Sequence, residues 1–194
     1  ANSEVHTFIE KPLASTFEEC LQIKSFFNQK KLKIGLGHIE RHNPVNLKLV
    51  DILSRKSSGE ILSMSFRRCS PNPIRINDVG VIYDLLIHDI DLARFMTKEE
   101  IFYVEALTNS NEVYETHVIS SMQTKKGKMI TCEASWNYPI QIREIRILTS
   151  KKYFKVDLLN KSIKIYKDNK EIKNIEVLEG DSLENELKDF LEAI

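Results

Sequence analysis

Asp78-Val-Gly-Val-Ile-Tyr-Asp-Leu-Leu-Ile-His-Asp-Ile-Asp-Leu-Ala-Arg-Phe95 is the segment on which the architecture turns. Its apolar residues Val81, Ile82, Leu85, Leu86, Ile87, Ile90 and Leu92 cover a helical cylinder almost all round, so a long helix over 78–96 is expected, buried between two layers. After it the period drops to two. Strand-like runs recur at 103–107, 116–123, 129–136, 142–149, 153–158, 163–166 and 172–177, with hairpin turns at Lys126-Gly127 and Asp168-Asn169. Before it, 60–68 alternates Leu62, Met64 and Phe66 on one side and reads as a further strand. The segment Cys69-Ser-Pro-Asn-Pro-Ile-Arg75 is expected to be a loop, because two prolines so close together leave little regular backbone bonding. These elements predict an α+β body: one mostly antiparallel sheet with helices on one face.

Farther upstream the grammar differs. Residues 5–9 form a short strand candidate, and Ser15 or Thr16 followed by Glu18 and Glu19 caps a helix through Leu21, Ile23, Phe26 and Phe27. Residues 33–36 then return as a strand, giving the strand, helix, strand order of a parallel α/β sheet. A dinucleotide-binding half needs a Gly-x-Gly-x-x-Gly turn after its first strand. Gly35-Leu-Gly37 has neither the third glycine nor the right place, so the chain is expected to be a fragment without the pyrophosphate cradle. Asn43-Pro44 caps a helix through Leu47, Leu49, Val50 and Leu53 that ends near Ser57-Ser58-Gly59. The expected division is 1–38 as the end of an α/β domain, 39–181 as the α+β domain, and 182–194 as a terminal helix.

The 194 residues are 42% hydrophobic, ample for a core, and balance 28 basic against 28 acidic side chains. Such balance gives no net field toward nucleic acid or an anionic membrane, and neither is an expected partner. Three scattered cysteines, Cys20, Cys69 and Cys132, without a Cys-x-x-Cys pair, argue against a disulfide framework or thiolate zinc site and suit a reducing cytoplasm. No apolar run approaches the roughly 18 residues that a membrane span needs.

Asp84, His88 and Asp91 fall at i, i+4 and i+7 of the buried helix, which places them on one face. Burying them costs several kcal/mol unless each is paired or lines a cavity. His88 could bridge the two aspartates as a structural network, or the three could mark a site. Lys11 favours the site. It lies in Glu10-Lys11-Pro12, where the first strand ends, and open α/β sheets place ligands at the carboxyl ends of their strands. A lysine at a strand end facing an Asp/His pair is a proton-transfer site in outline. His38 and His42 have the spacing of a zinc pair, but the surrounding glycines and the Asn43-Pro44 cap disfavour a helix there. Arg67, Arg68 and Arg75 bracket the proline loop, and arginine forks suit a nucleotide diphosphate; surface solvation is equally compatible.

Glu10-Lys11-Pro12 together with Asp84-x-x-x-His88 resembles the glucose-fructose oxidoreductase and inositol dehydrogenase (Gfo/Idh/MocA) family. Gly37-His-Ile-Glu-Arg-His-Asn-Pro44, Arg67-Arg68, Arg75-Ile76 and Glu133-Ala-Ser-Trp136, in that order, are similar to its UDP-N-acetylglucosamine 3-dehydrogenase branch. His42 and Ser70 depart from the pattern of that branch. The resemblance implies the end of a Rossmann domain followed by a dihydrodipicolinate reductase-like C-terminal domain. It implies NAD or NADP as cofactor, with Glu10, Lys11 and Pro12 at the cofactor. Lys11, Asp84 and His88 would be the catalytic set, without a metal, and Arg41, Asn43, Arg68 and Arg75 would meet a sugar substrate. The activity implied is oxidation of the ring 3-hydroxyl of a nucleotide-activated amino sugar. A free sugar or inositol dehydrogenase, and a non-catalytic sugar-responsive regulator of the same fold, are the alternatives. A homo-oligomer built through the open sheet face is also implied.

Overall fold

The computed structural model describes residues 4–73, 79–110 and 113–194. They fall into two compact units, 1–44 with 180–194, and 45–179. The division therefore comes at Pro44 rather than at 38, and the terminal helix belongs to the first unit instead of standing apart.

In the first unit, β1 (Thr7–Glu10) and β2 (Ile34–Gly37) pair in parallel with Glu10 opposite Gly37. Between them runs α1 (Phe17–Lys30), whose start is settled by Thr16 rather than Ser15. The Thr16 hydroxyl accepts from the Glu19 N–H, and the Glu19 carboxylate accepts from the Thr16 N–H, so two end donors are satisfied reciprocally. A 3₁₀ turn (Ile39–His42) and the C-terminal helix α4 (Ser182–Ala193) complete the unit. Asp181 caps α4 by accepting from the Glu184 N–H. The Phe190 ring on α4 meets Phe8 edge to face, with centroids 5.6 Å apart. Gly35 makes that contact possible: a Cβ there would come within 2.6 Å of the Phe190 ring.

The second unit is built on an eight-stranded sheet. Its strands are β3 (Ile61–Pro71), β4 (Ile101–Ser110), β5 (Glu115–Thr124), β6 (Met129–Ser135), β7 (Asn137–Thr149), β8 (Tyr153–Asp157), β9 (Ser162–Lys167) and β10 (Lys170–Glu176), in the spatial order β10-β9-β8-β7-β3-β6-β5-β4. Among the described residues of this sheet only β3 and β6 pair in parallel, so it is mostly antiparallel as the patterning requires. Helix α2 (Pro44–Leu53), a π-helical turn (Ile82–Leu86) and α3 (Ile87–Thr97) supply the helical side of the core. There Val45, Leu49, Val81 and Leu92 join Met64, Phe66, Val118, Ile130, Ile145, Ile147 and Phe154 from the strands in one buried cluster. The residues of alternate parity face outward, among them Ile119, Leu148 and Met129. The turns at Asp168 and Asn169 adopt positive φ, 51° and 60°, which closes a tight hairpin between β9 and β10.

Two local expectations are corrected. Cys69, Ser70 and Pro71 extend β3 instead of opening a loop, because Pro71 sits at the strand end, beyond a register shift, where its missing N–H breaks no regular ladder. The helix of 78–96 is not uniformly α: it widens to a π turn over Ile82–Leu86, where the Ile87 N–H bonds back to the Ile82 carbonyl. Its first residue, Asp78, lies outside the described residues.

Strand β3 and helix α3 are joined by a buried ion pair. Arg68 sends both Nε and a terminal nitrogen to Asp89 Oδ1, at 3.0 and 2.9 Å, with the two side chains 4% and 3% exposed. Asp89→Ala should lower the free energy of unfolding by about 3 kcal/mol, because it strands a buried guanidinium charge. Urea denaturation with an unchanged m-value and a lowered midpoint is the expected result.

Candidate active site

Lys11 follows directly on the last residue of β1, and its peptide bond to Pro12 is cis. The carboxylate of Glu10 lies against Gly37 on the neighbouring strand: a Cβ on that residue would approach Glu10 Oε2 to 2.7 Å and the Glu10 Cα to 3.1 Å. The end of this parallel pair is therefore a place of close backbone approach, made from glycine and a carboxylate at the carboxyl ends of two strands. These residues fit one end of a dinucleotide site.

Beyond β2 the 3₁₀ turn carries Arg41, and Asn43 follows it. The Arg41 N–H donates to the His38 carbonyl at 2.9 Å, and Asn43 Nδ2 donates to the buried Glu40 carboxylate at 3.1 Å. Asn185 of α4 donates to the His42 carbonyl at 3.1 Å, which fixes the turn to the terminal helix. Burial, offset in part by Asp189, lowers the pKa of the His42 ring and favours its neutral form. A single 3₁₀ turn replaces the α-helix that a His38/His42 zinc pair would need, and among the described residues no three His, Cys, Asp or Glu side chains gather as a metal site.

Asp84 and His88 belong to the other unit, four residues apart across the junction of the π turn and α3. Both are half-buried, whereas Asp91 is buried at 5% exposure. A π turn of this kind is rare and tends to occur at functional sites, where it re-aims the side chains it carries. It is held from outside the helix. Glu115 at the start of β5 accepts from the Ile82 N–H at 3.3 Å, satisfying a donor at the helix start. The same carboxylate fills the space beside Gly80, where a Cβ would fall 2.2 Å from it. Glu115 was not foreseen from the sequence; the glycine at position 80, just before a helical run, was the only trace of it.

The arginines separate. Arg67 and Arg68 are neighbours on β3 and so point to opposite faces of the sheet. Arg68, expected at the substrate, is 3% exposed and bonds Asp89. Arg67 lies on the open face, where its Nε bonds Glu133 at 2.9 Å and a terminal nitrogen donates to the Tyr138 hydroxyl at 3.2 Å. Arg75 lies outside the described residues. Lys11, Arg41 and Asn43 are in the first unit, and Asp84 and His88 in the second.

Comparison with known proteins finds relatives that match nearly the whole chain. UDP-N-acetylglucosamine 3-dehydrogenase of Acidithiobacillus ferrooxidans is 28% identical over 200 residues, covering 98% of this chain and 63% of that protein. Its solved structure matches 97% of this chain and 61% of its own, with a TM-score of 0.88. An inositol 2-dehydrogenase/D-chiro-inositol 3-dehydrogenase of Halalkalibacterium halodurans is 28% identical over 156 residues, 73% of this chain and 44% of that protein. An inositol dehydrogenase homologue of Azotobacter vinelandii, solved with NADH and myo-inositol, shares the fold at 16% identity and a TM-score of 0.80, over 89% of this chain and 50% of its own. The model of the GFO/IDH/MocA C-terminal domain matches residues 47–155, more than half of the chain, and the chain belongs to that family.

Proposed function

We propose that this chain is the catalytic and substrate-binding part of an NAD-dependent oxidoreductase. It would oxidise the ring 3-hydroxyl of a nucleotide-activated amino sugar such as UDP-N-acetylglucosamine. The observation that carries this reading is the 28% identity to the UDP-N-acetylglucosamine 3-dehydrogenase across 98% of the chain, a span long enough to take in both Lys11 and the helix of Asp84 and His88. NAD, when bound, supplies the hydride acceptor, and Glu10, Lys11 and Pro12 would hold it.

The side chains then divide the remaining work. A ring nitrogen of His88 accepts the hydroxyl proton, and the Asp84 carboxylate supports the imidazolium that forms. The Lys11 ammonium hydrogen-bonds the reacting oxygen and stabilises negative charge as the C–H bond is broken. Arg41 and Asn43 orient the substrate from the 3₁₀ turn, and Arg75 is the remaining candidate for its diphosphate. Arg68 supports the helix through Asp89 rather than meeting substrate. A free inositol or sugar is the second reading, favoured by the likeness to the inositol dehydrogenase. A regulator without activity is the third.

In the complete protein, Lys11→Ala and His88→Ala should each reduce turnover about 100-fold or more, typical of losing a charge stabiliser or a general base. Asp84→Asn should also slow it, and His88→Ala should leave NAD affinity unchanged. NADH formation with UDP-N-acetylglucosamine, set beside free N-acetylglucosamine and myo-inositol, distinguishes the substrates. Turnover of the free polyols alone would favour the second reading, and NAD binding without turnover the third.

The open face of the sheet is proposed as a contact between copies of this chain. It exposes the cross-strand pair Leu107 and Ile119 at 80% and 52%, and Met129 farther along β6 at 58%, more apolar surface than a lone residue would leave. Light scattering during size exclusion should therefore give at least a dimer, and a clean monomer at micromolar concentration would count against this contact.

A further inference from the structure

The open face of the eight-stranded sheet holds a cavity that takes no part in the chemistry above. Ile147, Phe154 and Ile165 point into the core, so their neighbours Leu148, Tyr153 and Tyr166 lie on the opposite side of the sheet from the helix of Asp84 and His88. These three form one row across β7, β8 and β9. Leu148 is opposite Tyr153 and Tyr153 is opposite Tyr166, with the two rings 6.0 Å apart and inclined by 47°. Together with Lys152, Lys155 and Asn169 they line a cavity of about 570 Å³, a size usual for small-molecule sites. The apolar residues proposed to meet a second copy stand on β4, β5 and β6, on the far side of β3 from it.

The next row on the same face is Arg146, Lys155 and Lys164, three cations directly opposite one another on adjacent strands. Like charges so placed repel. The outer two are each relieved by a carboxylate: Glu144 lies 3.1 Å from Arg146, and Glu171 lies 3.8 Å from Lys164. Lys155 stands between them with no carboxylate in ion-pair reach among the described residues, and the same holds for Lys152 at the turn before β8. The remaining charges around the cavity have other partners. Lys151 Nζ donates to the Lys56 carbonyl at 3.0 Å, and Lys167 lies 3.7 Å from Asp168. The Asp157 carboxylate, two residues beyond Lys155, accepts from the Leu159 and Asn160 N–H groups of its own turn. A cation with cations on both sides and no counter-charge, set beside a row of tyrosines, is a surface shaped for an anion that carries a planar ring.

We propose that this cavity binds a mononucleotide, with its base on the row of Leu148, Tyr153 and Tyr166 and its phosphate on Lys155. Aromatic side chains on a sheet surface take a base by its π face, and every base has one. Successive rows on one sheet face are two residues apart, about 6.6 Å at 3.3 Å per residue, a span that a ribose covers between a base and its 5′-phosphate. The phosphate gives Lys155 the counter-charge it lacks and lessens the repulsion along its row, and Arg146 and Lys164 flank it from either side. Lys152 adds positive charge at the rim. The site belongs wholly to the second unit and is separate from the residues assigned to sugar oxidation.

The test titrates the complete protein, labelled with fluorotyrosine, with UMP, uridine and inorganic phosphate while ¹⁹F NMR follows the signals of Tyr153 and Tyr166, assigned through Tyr153→Phe and Tyr166→Phe. UMP should move both signals with a submillimolar midpoint. Uridine and phosphate, each able to meet only one row, should bind about tenfold more weakly. Lys155→Gln should weaken UMP by about tenfold and leave uridine unchanged, as expected for loss of one charged hydrogen bond. Lys161→Gln, an exposed lysine in the turn between β8 and β9, should change neither. The proposal is overturned if neither signal moves at about 10 mM UMP, or if only other tyrosines respond, which would put the nucleotide elsewhere. Equal binding of phosphate and UMP would mean an adventitious ion only. Equal losses in Lys155→Gln and Lys161→Gln would reduce the effect to general surface charge and reject the site. Tighter binding of a single-stranded oligouridylate than of UMP would assign this face to nucleic acid and likewise reject the mononucleotide. None of these readouts depends on turnover of a sugar.

Discussion

The ion pair of Arg68 and Asp89 is the constraint around which the larger unit is arranged. Two charges taken out of water are favourable only when each answers the other at hydrogen-bonding distance, and this geometry is met at one position of α3 against β3. The pair therefore fixes where the helix lies along the sheet and how it is rotated. His88 is the residue before Asp89, so fixing the rotation of the helix also fixes where the His88 side chain leaves it. Asp89 also acts on its other neighbours: burial, and then its charge, push the Cys132 thiol well above its usual range. Cys69, where burial dominates, is pushed up to about 11. Both thiols are core side chains, not nucleophiles.

Around that fixed point the helix start is free to depart from α geometry. A π turn costs regular hydrogen bonding, and Glu115 compensates by accepting from the Ile82 N–H where the chain enters it. Gly80 is required because the Glu115 carboxylate occupies the volume that a side chain would need. Asp84 and His88 are thus supported from two sides, by a carboxylate on β5 before the turn and by an arginine on β3 after it. Such support by neighbouring strands restricts the directions in which the two side chains can leave the helix.

The smaller unit depends on glycine in a different way. Gly35 and Gly37 are not turn residues in the described strands. They are places where the sheet surface is left bare, so that Phe190 can sit on one and the Glu10 carboxylate on the other. A missing side chain on β2 thereby fixes both the seat of the terminal helix and the geometry of the strand end that carries Lys11.

Much of this was legible in the residues themselves. Alternation of apolar positions foretold β3 to β10, because a strand with one covered face must repeat every two residues. The helix of Asp84 and His88 was marked by apolar residues around a polar stripe, and the strand end by Glu10-Lys11-Pro12. What sequence could not supply was the partner of each polar group. Arg68 and Arg67 are adjacent letters, yet one is buried against Asp89 and the other lies on the open face, since pleating sends neighbours to opposite sides. Glu115 lies 33 residues along the chain from Ile82, whose N–H donates to it. Local pattern determined which elements form, because period and capping act over a few residues. Tertiary structure alone decided which charges are paired, because desolvation and Coulomb energy depend on who is brought near.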